Sequence, residues 1–340
     1  MPAEADLTST GAAQAALHER AAAATRRRFG NRVFVRAVVE ISNFCRENCA
    51  YCGMRRDHRA LRRYRARHEQ IAELLIHHRP ASVTDVNIQA GEDPVAAREI
   101  ALPLVQALRR KTPLGVSVCL GTLPPALYAA LREAGADIYI MKFECADAAQ
   151  YARFQAPGTL AERLRDIRLL AKSGWCVSSG FIAGLPGQTP GALLKNLELA
   201  WALPLCGCSV SPFIQSAGTP LAGSPACDPN RTLNAMAALR LMRPEWVIPA
   251  VSALNLVQKN GYRRGLRAGA NLVTINLTPD DLRDDYVIYK RDRFVVTEER
   301  ALAALAAEGL VPSSEGLAEF YRRQSPNGAA TQTAAAAIPA

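Results

Sequence analysis

Residues 42–65 read SNFCRENCAYCGMRRDHRALRRYR and follow directly on the apolar run Val33 to Ile41. Cys45, Cys49 and Cys52 stand in a C-x3-C-x2-C spacing, which puts three thiols on a tight loop at the end of an expected strand. Thiolates are soft ligands that select iron–sulfur clusters, zinc or Cu(I). Each iron of a cubane cluster normally takes one cysteine, so a triad leaves one iron open. An open coordination position is where a metal site does chemistry. Zinc is the competing metal. Structural zinc takes four protein ligands in paired spacings, and His58 is the nearest fourth candidate.

Working outward from this loop, apolar runs alternate with helical patterns. The expected strands are Val33 to Ile41, Val83 to Gln89, Val116 to Leu120, Ile138 to Lys142, Cys176 to Ile182, Cys208 to Ile214, Val247 to Ala253 and Leu272 to Leu277. Helical spacing lies between them, as in His68 to His78, where Ile71, Leu74 and Leu75 share a face. His77 and His78 fall at its polar end and read as a solvated pair. Repeated βα units imply parallel pairing and right-handed crossovers. The fold class expected is therefore α/β, a complete (β/α)8 TIM-type barrel. Residues 1–30 read as an N-terminal helical extension, 31–310 as the barrel, and 311–340 as a C-terminal helix and a disordered tail. From Ser325 the chain has small residues without apolar periodicity.

A hydrophobic content of 49% supports a sizeable core. The formal charge is +10, from 41 basic and 31 acidic residues. Aromatic residues make up only 6%, with no stacking platform for single-stranded nucleic acid, so nucleic acid is not an expected partner. The arginines read as solvated surface, and the run Arg55 to Arg65 as a solvated loop or a seat for the N-terminal helix. An acidic carrier or other acidic protein partner stays open. The nine cysteines are odd in number and unevenly spaced, and no secretory pattern precedes them. No apolar run spans a bilayer. A cytoplasmic, reducing setting without membrane contact is expected, with thiols in place of a disulfide framework.

The cysteine spacing, with Tyr51 before the third cysteine, resembles the signature of the radical S-adenosylmethionine (radical SAM) enzymes. The longer string resembles the [FeFe]-hydrogenase maturase branch, which groups with methylornithine synthase and biotin synthase. The resemblance implies a [4Fe-4S] cluster on Cys45, Cys49 and Cys52 whose open iron chelates SAM. It implies one-electron cleavage of SAM to a 5′-deoxyadenosyl radical and hydrogen abstraction from a small-molecule substrate. A one-electron reductant of flavodoxin or ferredoxin type would supply the electron. Further strings carry the same resemblance. Gly91-Glu92-Asp93-Pro94, after the second strand, matches the family's contact to the SAM amino group. Glu144 matches an acidic SAM contact, although Phe143 replaces a polar neighbour. Arg163 matches the arginine that pairs with the SAM carboxylate, and Ile214 would pack on adenine. Tyr51 is counted with these cofactor contacts. The strings GLPGQT at 184–189 and GAN at 269–271 also match.

Departures from the family bear on the substrate. Biotin synthase carries a second cluster on cysteines of later strands, where this chain has Ser117 and Ser178. Methylornithine synthase holds its product with charged groups, where this chain has Ser209 and Ala253. A second cluster and the amino-acid pocket are thus expected to be lost. The interior is expected to be less charged, suited to an apolar or metal-bound substrate. Cys119, Cys145, Cys176, Cys206, Cys208 and Cys227 read as buried thiols, against a second cluster or sulfur donor. The reaction expected belongs to cofactor or unusual amino-acid biosynthesis. Sulfur insertion of the biotin or lipoyl kind, and a non-catalytic metal-binding module, are the competing readings.

Overall fold

The structure is a computed structural model that describes residues 2–289 and 294–324. Seven parallel strands form its centre: β1 (Arg32–Ser42), β2 (Asp85–Ala90), β3 (Gly115–Cys119), β4 (Ile138–Ile140), β5 (Cys176–Ala183), β6 (Gly207–Pro212) and β7 (Leu272–Asn276). They curl in the order β6-β5-β4-β3-β2-β1-β7, and β8 (Val311–Pro312) pairs with β1 off that path. Strand side chains alternate between faces, and β1 shows the consequence. Val33, Val35, Ala37, Val39 and Ile41 are buried in the main apolar core, while Arg36, Val38 and Glu40 line an internal cavity.

Seven of the eight expected strands form the curled parallel sheet. The run Val247 to Ala253 is not a strand; it makes isolated bridges, Gly207 with Val247 and Pro249 with Leu272. Proline at 249 has no N–H to donate to a ladder. Asn271 of the GAN string supplies what the ladder lacks. Its side-chain oxygen accepts from the Ile248 N–H at 2.8 Å, and its own N–H donates to the Ile248 carbonyl at 2.9 Å.

The far end of the curl is shut by the helix Leu317–Gln324. Leu317 and Phe320 pack with Phe34, Ile138, Ile140, Val247 and Leu272. Asp85 caps that helix, accepting from the N–H groups of Leu317 at 2.7 Å and Ala318 at 3.2 Å. At the other terminus the helices Glu4–Thr8 and Gly11–Phe29 are docked, not free. Asn234, on the helix Pro229–Met242, accepts from Gln14 at 2.9 Å and donates to the Ser9 carbonyl at 2.9 Å. Cys176 and Cys206, expected as thiols, are joined in a disulfide at the base of β5 and β6. No helix among the described residues is long and apolar enough to cross a membrane. The tail expected from Ser325 lies outside the described residues.

Candidate functional site

The cysteine loop is an excursion that leaves and returns to β1. Ala66 N–H donates to the Ile41 carbonyl at 2.8 Å, and Asn43 N–H to the Tyr64 carbonyl at 3.3 Å. The Asn43 side chain pins the ends together, donating to the carbonyls of Arg62 and Asp285 and accepting from the Tyr64 N–H, each at 2.8 Å. The arginines read as solvated surface turn out to brace this loop from within. Arg63 donates to the carbonyls of Asn43 at 2.6 Å, Met54 at 2.8 Å and Arg55 at 2.7 Å. Arg65 forms a two-pronged pair with Asp93, at 2.7 and 3.0 Å. Arg62 pairs with Asp285, and Arg55 donates to Asn48 at 2.9 Å.

One cavity of about 340 Å³ gathers most of the expected site residues. Cys45, Tyr51, Cys49, Cys52, Gly91, Glu92, Glu144 and Arg163 all line it at the C-terminal ends of the strands. Gly91 must be glycine: a Cβ there would lie 2.2 Å from the Phe44 carbonyl oxygen and 2.9 Å from the Cys45 Cβ. Next to it the Glu92 N–H faces the Cys45 sulfur at 3.4 Å, and the Glu92 carbonyl accepts from Arg46 N–H at 3.1 Å. Burial raises the three free thiols, Cys52 to about 12. Tyr51 Oη is buried without a hydrogen-bond partner.

Arg163 and Glu92 form a buried ion pair at 2.5 Å, with side chains 3% and 8% exposed. The helix Leu160–Lys172 delivers Arg163 in its first turns, after a capping box in which Thr159 and Glu162 bond reciprocally. Burial works against the guanidinium charge, and Glu92 and the Tyr151 hydroxyl together more than offset it. Arg163 Nε is buried with no partner, so one side of the fork is unspent. Glu144 follows a bulge in which the N–H groups of Phe143 and Glu144 both meet the Gly180 carbonyl, at 3.0 and 3.1 Å. Its φ of 59° is a left-handed conformation, unusual for glutamate, of the kind strained sites store. Burial raises its carboxyl, against the pull of Lys142 and Arg163. Phe143, the departure from the family string, packs on Phe181 with ring centres 5.6 Å apart.

Two expected contacts do not reach the cavity. Asp93 is taken up by Arg65, by Ser42 Oγ at 2.8 Å and by the Val95 N–H at 3.2 Å. It is a helix cap and a brace for the cysteine loop. Ile214 is buried outside the lining. His58, the candidate zinc ligand, is turned to the Gly53 carbonyl at 2.6 Å and does not line the cavity. Among the described residues, no three or more His, Cys, Asp or Glu side chains are gathered around a single-ion site.

The interior is also more charged than expected. Arg36, Glu40, Glu92, Lys142, Glu144 and Arg163 all line it. Every-second-residue spacing along β1 was the signal for Arg36 and Glu40; the near-continuous apolar run around them masked it. Ser178 and Ser209 line the same space, whereas Ala253 does not.

Residues 39–200 match the family described as the radical SAM superfamily. The chain is 33% identical over 264 residues to the [FeFe] hydrogenase maturase subunit HydE of Thermotoga maritima, covering 78% of this chain and 76% of that one. This chain belongs to the radical SAM superfamily. It is an enzyme of that family, and the family implies an iron–sulfur cluster and SAM. It is also similar to 3-methylornithine synthase of Methanosarcina barkeri, 29% identical over 268 residues, with 78% of this chain and 75% of that one covered. The crystal structure of methylornithine synthase (PylB) superposes with a TM-score of 0.81 at 25% identity, covering 92% of this chain and 94% of that one.

Proposed function

We propose that Cys45, Cys49 and Cys52 hold a [4Fe-4S] cluster by its three protein-ligated irons, and that SAM sits between Tyr51, Gly91, Glu92, Glu144 and Arg163. When bound, the cluster and SAM together supply one-electron cleavage of SAM and hydrogen abstraction from a small molecule deeper in the cavity. The observation that carries this reading is the convergence of the thiols and of Gly91, Glu144 and Arg163 on one cavity. The residues fit the cofactors chemically. Three soft donors suit a cluster with one open iron. The missing Cβ at Gly91 lets the cysteine loop pack against this turn at Phe44 and Cys45, which brings the thiols to the cavity. The unspent Nε of Arg163 suits a second carboxylate beside Glu92, and the buried Tyr51 hydroxyl stands against the Cys49 thiol.

Among the reactions of its relatives, maturation of a metal cofactor or rearrangement of an unusual amino acid fits better than sulfur insertion. Ser117 and Ser178 stand where a sulfur-donating cluster would need cysteines. A one-electron reductant of flavodoxin or ferredoxin type, in a reducing cytosol, belongs to the same reading. So does closure of the strands into a (β/α)8 ring through the single bridges at Val247 and Pro249. The test is anaerobic reconstitution of wild type and the C45A/C49A/C52A variant. Wild type is expected to bind about four irons and to form 5′-deoxyadenosine under reductant, and the variant to do neither. Turnover that survives in the variant would refute the reading, and about eight irons would turn it toward sulfur insertion.

A further inference from the structure

We propose that the Cys176–Cys206 pair is a thiol–disulfide switch whose state sets how firmly the floor of the cavity is closed. The inference goes beyond the reaction given above and takes from that reading only the reducing setting.

The pair sits where the ring of strands is weakest. β6 and β7 are the two ends of the laddered run, and between them the ring is carried across by isolated bridges, Gly207 with Val247 and Pro249 with Leu272. Cys176 opens β5, and Cys206 stands one residue before β6. The ladder between these strands begins just inside the pair, at Ser178 and Gly207. The Cys206 carbonyl is shared by the elements that make the floor. It accepts from the Val247 N–H at 3.4 Å and from the Tyr321 hydroxyl at 3.3 Å. Val247, Leu272, Leu317 and Tyr321 all line the cavity. Cys176 and Tyr321 pack against the same apolar cluster. A covalent tie here holds β6 to β5 and, through the Cys206 carbonyl, steadies the seam and the helix Leu317–Gln324.

Disulfides are rare in a reducing cytosol, and those that occur there are mostly transient, catalytic or redox-sensing. The two Cα atoms lie 6.1 Å apart, a separation that a bridge spans without backbone movement. Dithiol and disulfide therefore fit the same strands. Both residues are half-buried, close in the chain to the exposed Gly174 and Pro204, so a small thiol or disulfide reaches them. Cys145, Cys208 and Cys227 are buried and lack such access. The exchange balances. One thiolate attacks a low-molecular-weight disulfide, forming a mixed disulfide and releasing one thiol; the second thiolate then displaces the other half as a second thiol. The pair gives up two electrons and two protons, which the small disulfide takes up. Opening the bridge removes a constraint across a separation of 30 residues. The seam is then left to long hydrogen bonds and isolated bridges, and opens locally more often.

Equilibrating the reconstituted full-length protein, without oxygen, in mixtures of reduced and oxidised glutathione tests this. Alkylation followed by non-reducing peptide mapping reads the bridge, and amide hydrogen exchange reads the floor. The peptides holding Cys176 and Cys206 are expected to be linked in the oxidised mixtures and separately alkylated in the reduced ones, reversibly. Exchange in 245–253 and 317–324 should be about fivefold faster in the reduced form, with Leu102–Lys111 unchanged. The Cys176→Ser/Cys206→Ser variant should match the reduced form in every mixture. The linked peptide is read on wild type alone, so that arm does not depend on the variant folding. A pair that never links, a pair that stays linked in reduced glutathione, or floor exchange that is equal in the two states overturns the proposal.

Discussion

At the rim of the cavity, Arg55, Arg62, Arg63 and Arg65 spend their donors on the protein itself; inside, Arg36 makes one long bond, to Thr274 Oγ1 at 3.5 Å, and its Nε is buried with none. The rim arginines hold a loop whose only apolar cluster is small, Met54, Leu61 and Tyr64 against Tyr286 and Val287 among the described residues. They bond backbone carbonyls and carboxylates, and so set the path of the three cysteines. The interior arginine has only that link to β7 and the field of Asp85, its strongest favourable charge. One residue type thus serves as scaffold where its partners are built in, and as cavity lining where few are. The cost differs accordingly: scaffold arginines stabilise the fold, whereas an interior cation with few partners weakens it.

Removing charges from each region sharpens the contrast. The largest effect is expected at the buried pair between the two regions. Arg163→Leu leaves buried Glu92 with only the long contact to half-exposed Arg46 at 3.5 Å and should cost about 3 kcal/mol, read by denaturant unfolding of the cluster-free protein. Adding Glu92→Leu should recover much of that loss; no recovery would show that the pair is not what the single variant breaks. At the rim, Arg63→Ala strips several charge-assisted bonds to carbonyls and should cost about 2–3 kcal/mol. Limited proteolysis should then cut within residues 53–61, and iron uptake should fall. An intact loop in Arg63→Ala would remove the scaffold role.

A pH series isolates the Arg65–Asp93 brace. Burial works to raise the Asp93 carboxyl, but the hydrogen bonds from Arg65 and Ser42 carry it below its ordinary value. Its folded pKa is thus depressed. The stability it contributes is complete above its unfolded pKa of about 3.9 and is lost as pH falls through the lower folded value. The stability difference between wild type and Asp93→Asn should therefore hold above about pH 4 and close below it; a difference independent of pH would rule the linkage out. The smallest effect belongs to Arg36. Arg36→Met should leave the substrate-free protein as stable as wild type or more so, by about 0–1 kcal/mol. A loss as large as that of Arg63→Ala would erase the distinction between the two regions.

Much of the site was legible in the chain because its signals are local. Cys45, Cys49 and Cys52 are seven residues apart in all, and GEDP is contiguous after one strand. Loops after parallel strands are where such folds place their chemistry. What escaped notice depends on residues far apart. The Arg65–Asp93 brace joins positions 28 apart, which is why Asp93 read as a ligand and Arg65 as solvated surface. Ile214 sits in a matching string, yet the string does not decide which wall it joins. Val247 to Ala253 has the apolar content of a strand, but Pro249 keeps it from a continuous ladder.

By itself, the sequence determined the βα alternation, the spacing of the thiols and the family, since these rest on the order of neighbouring residues and on side-chain periodicity. Only the tertiary structure decided which charges are spent. Glu92 finds Arg163 and Asp85 finds the helix Leu317–Gln324 across more than 70 and 230 residues, which leaves Arg36 in the field of Asp85 without a direct ion pair among the described residues. Ion pairing acts through space, at a few ångströms, so a cation's partner, or its lack of one, exists only once the strands have curled together.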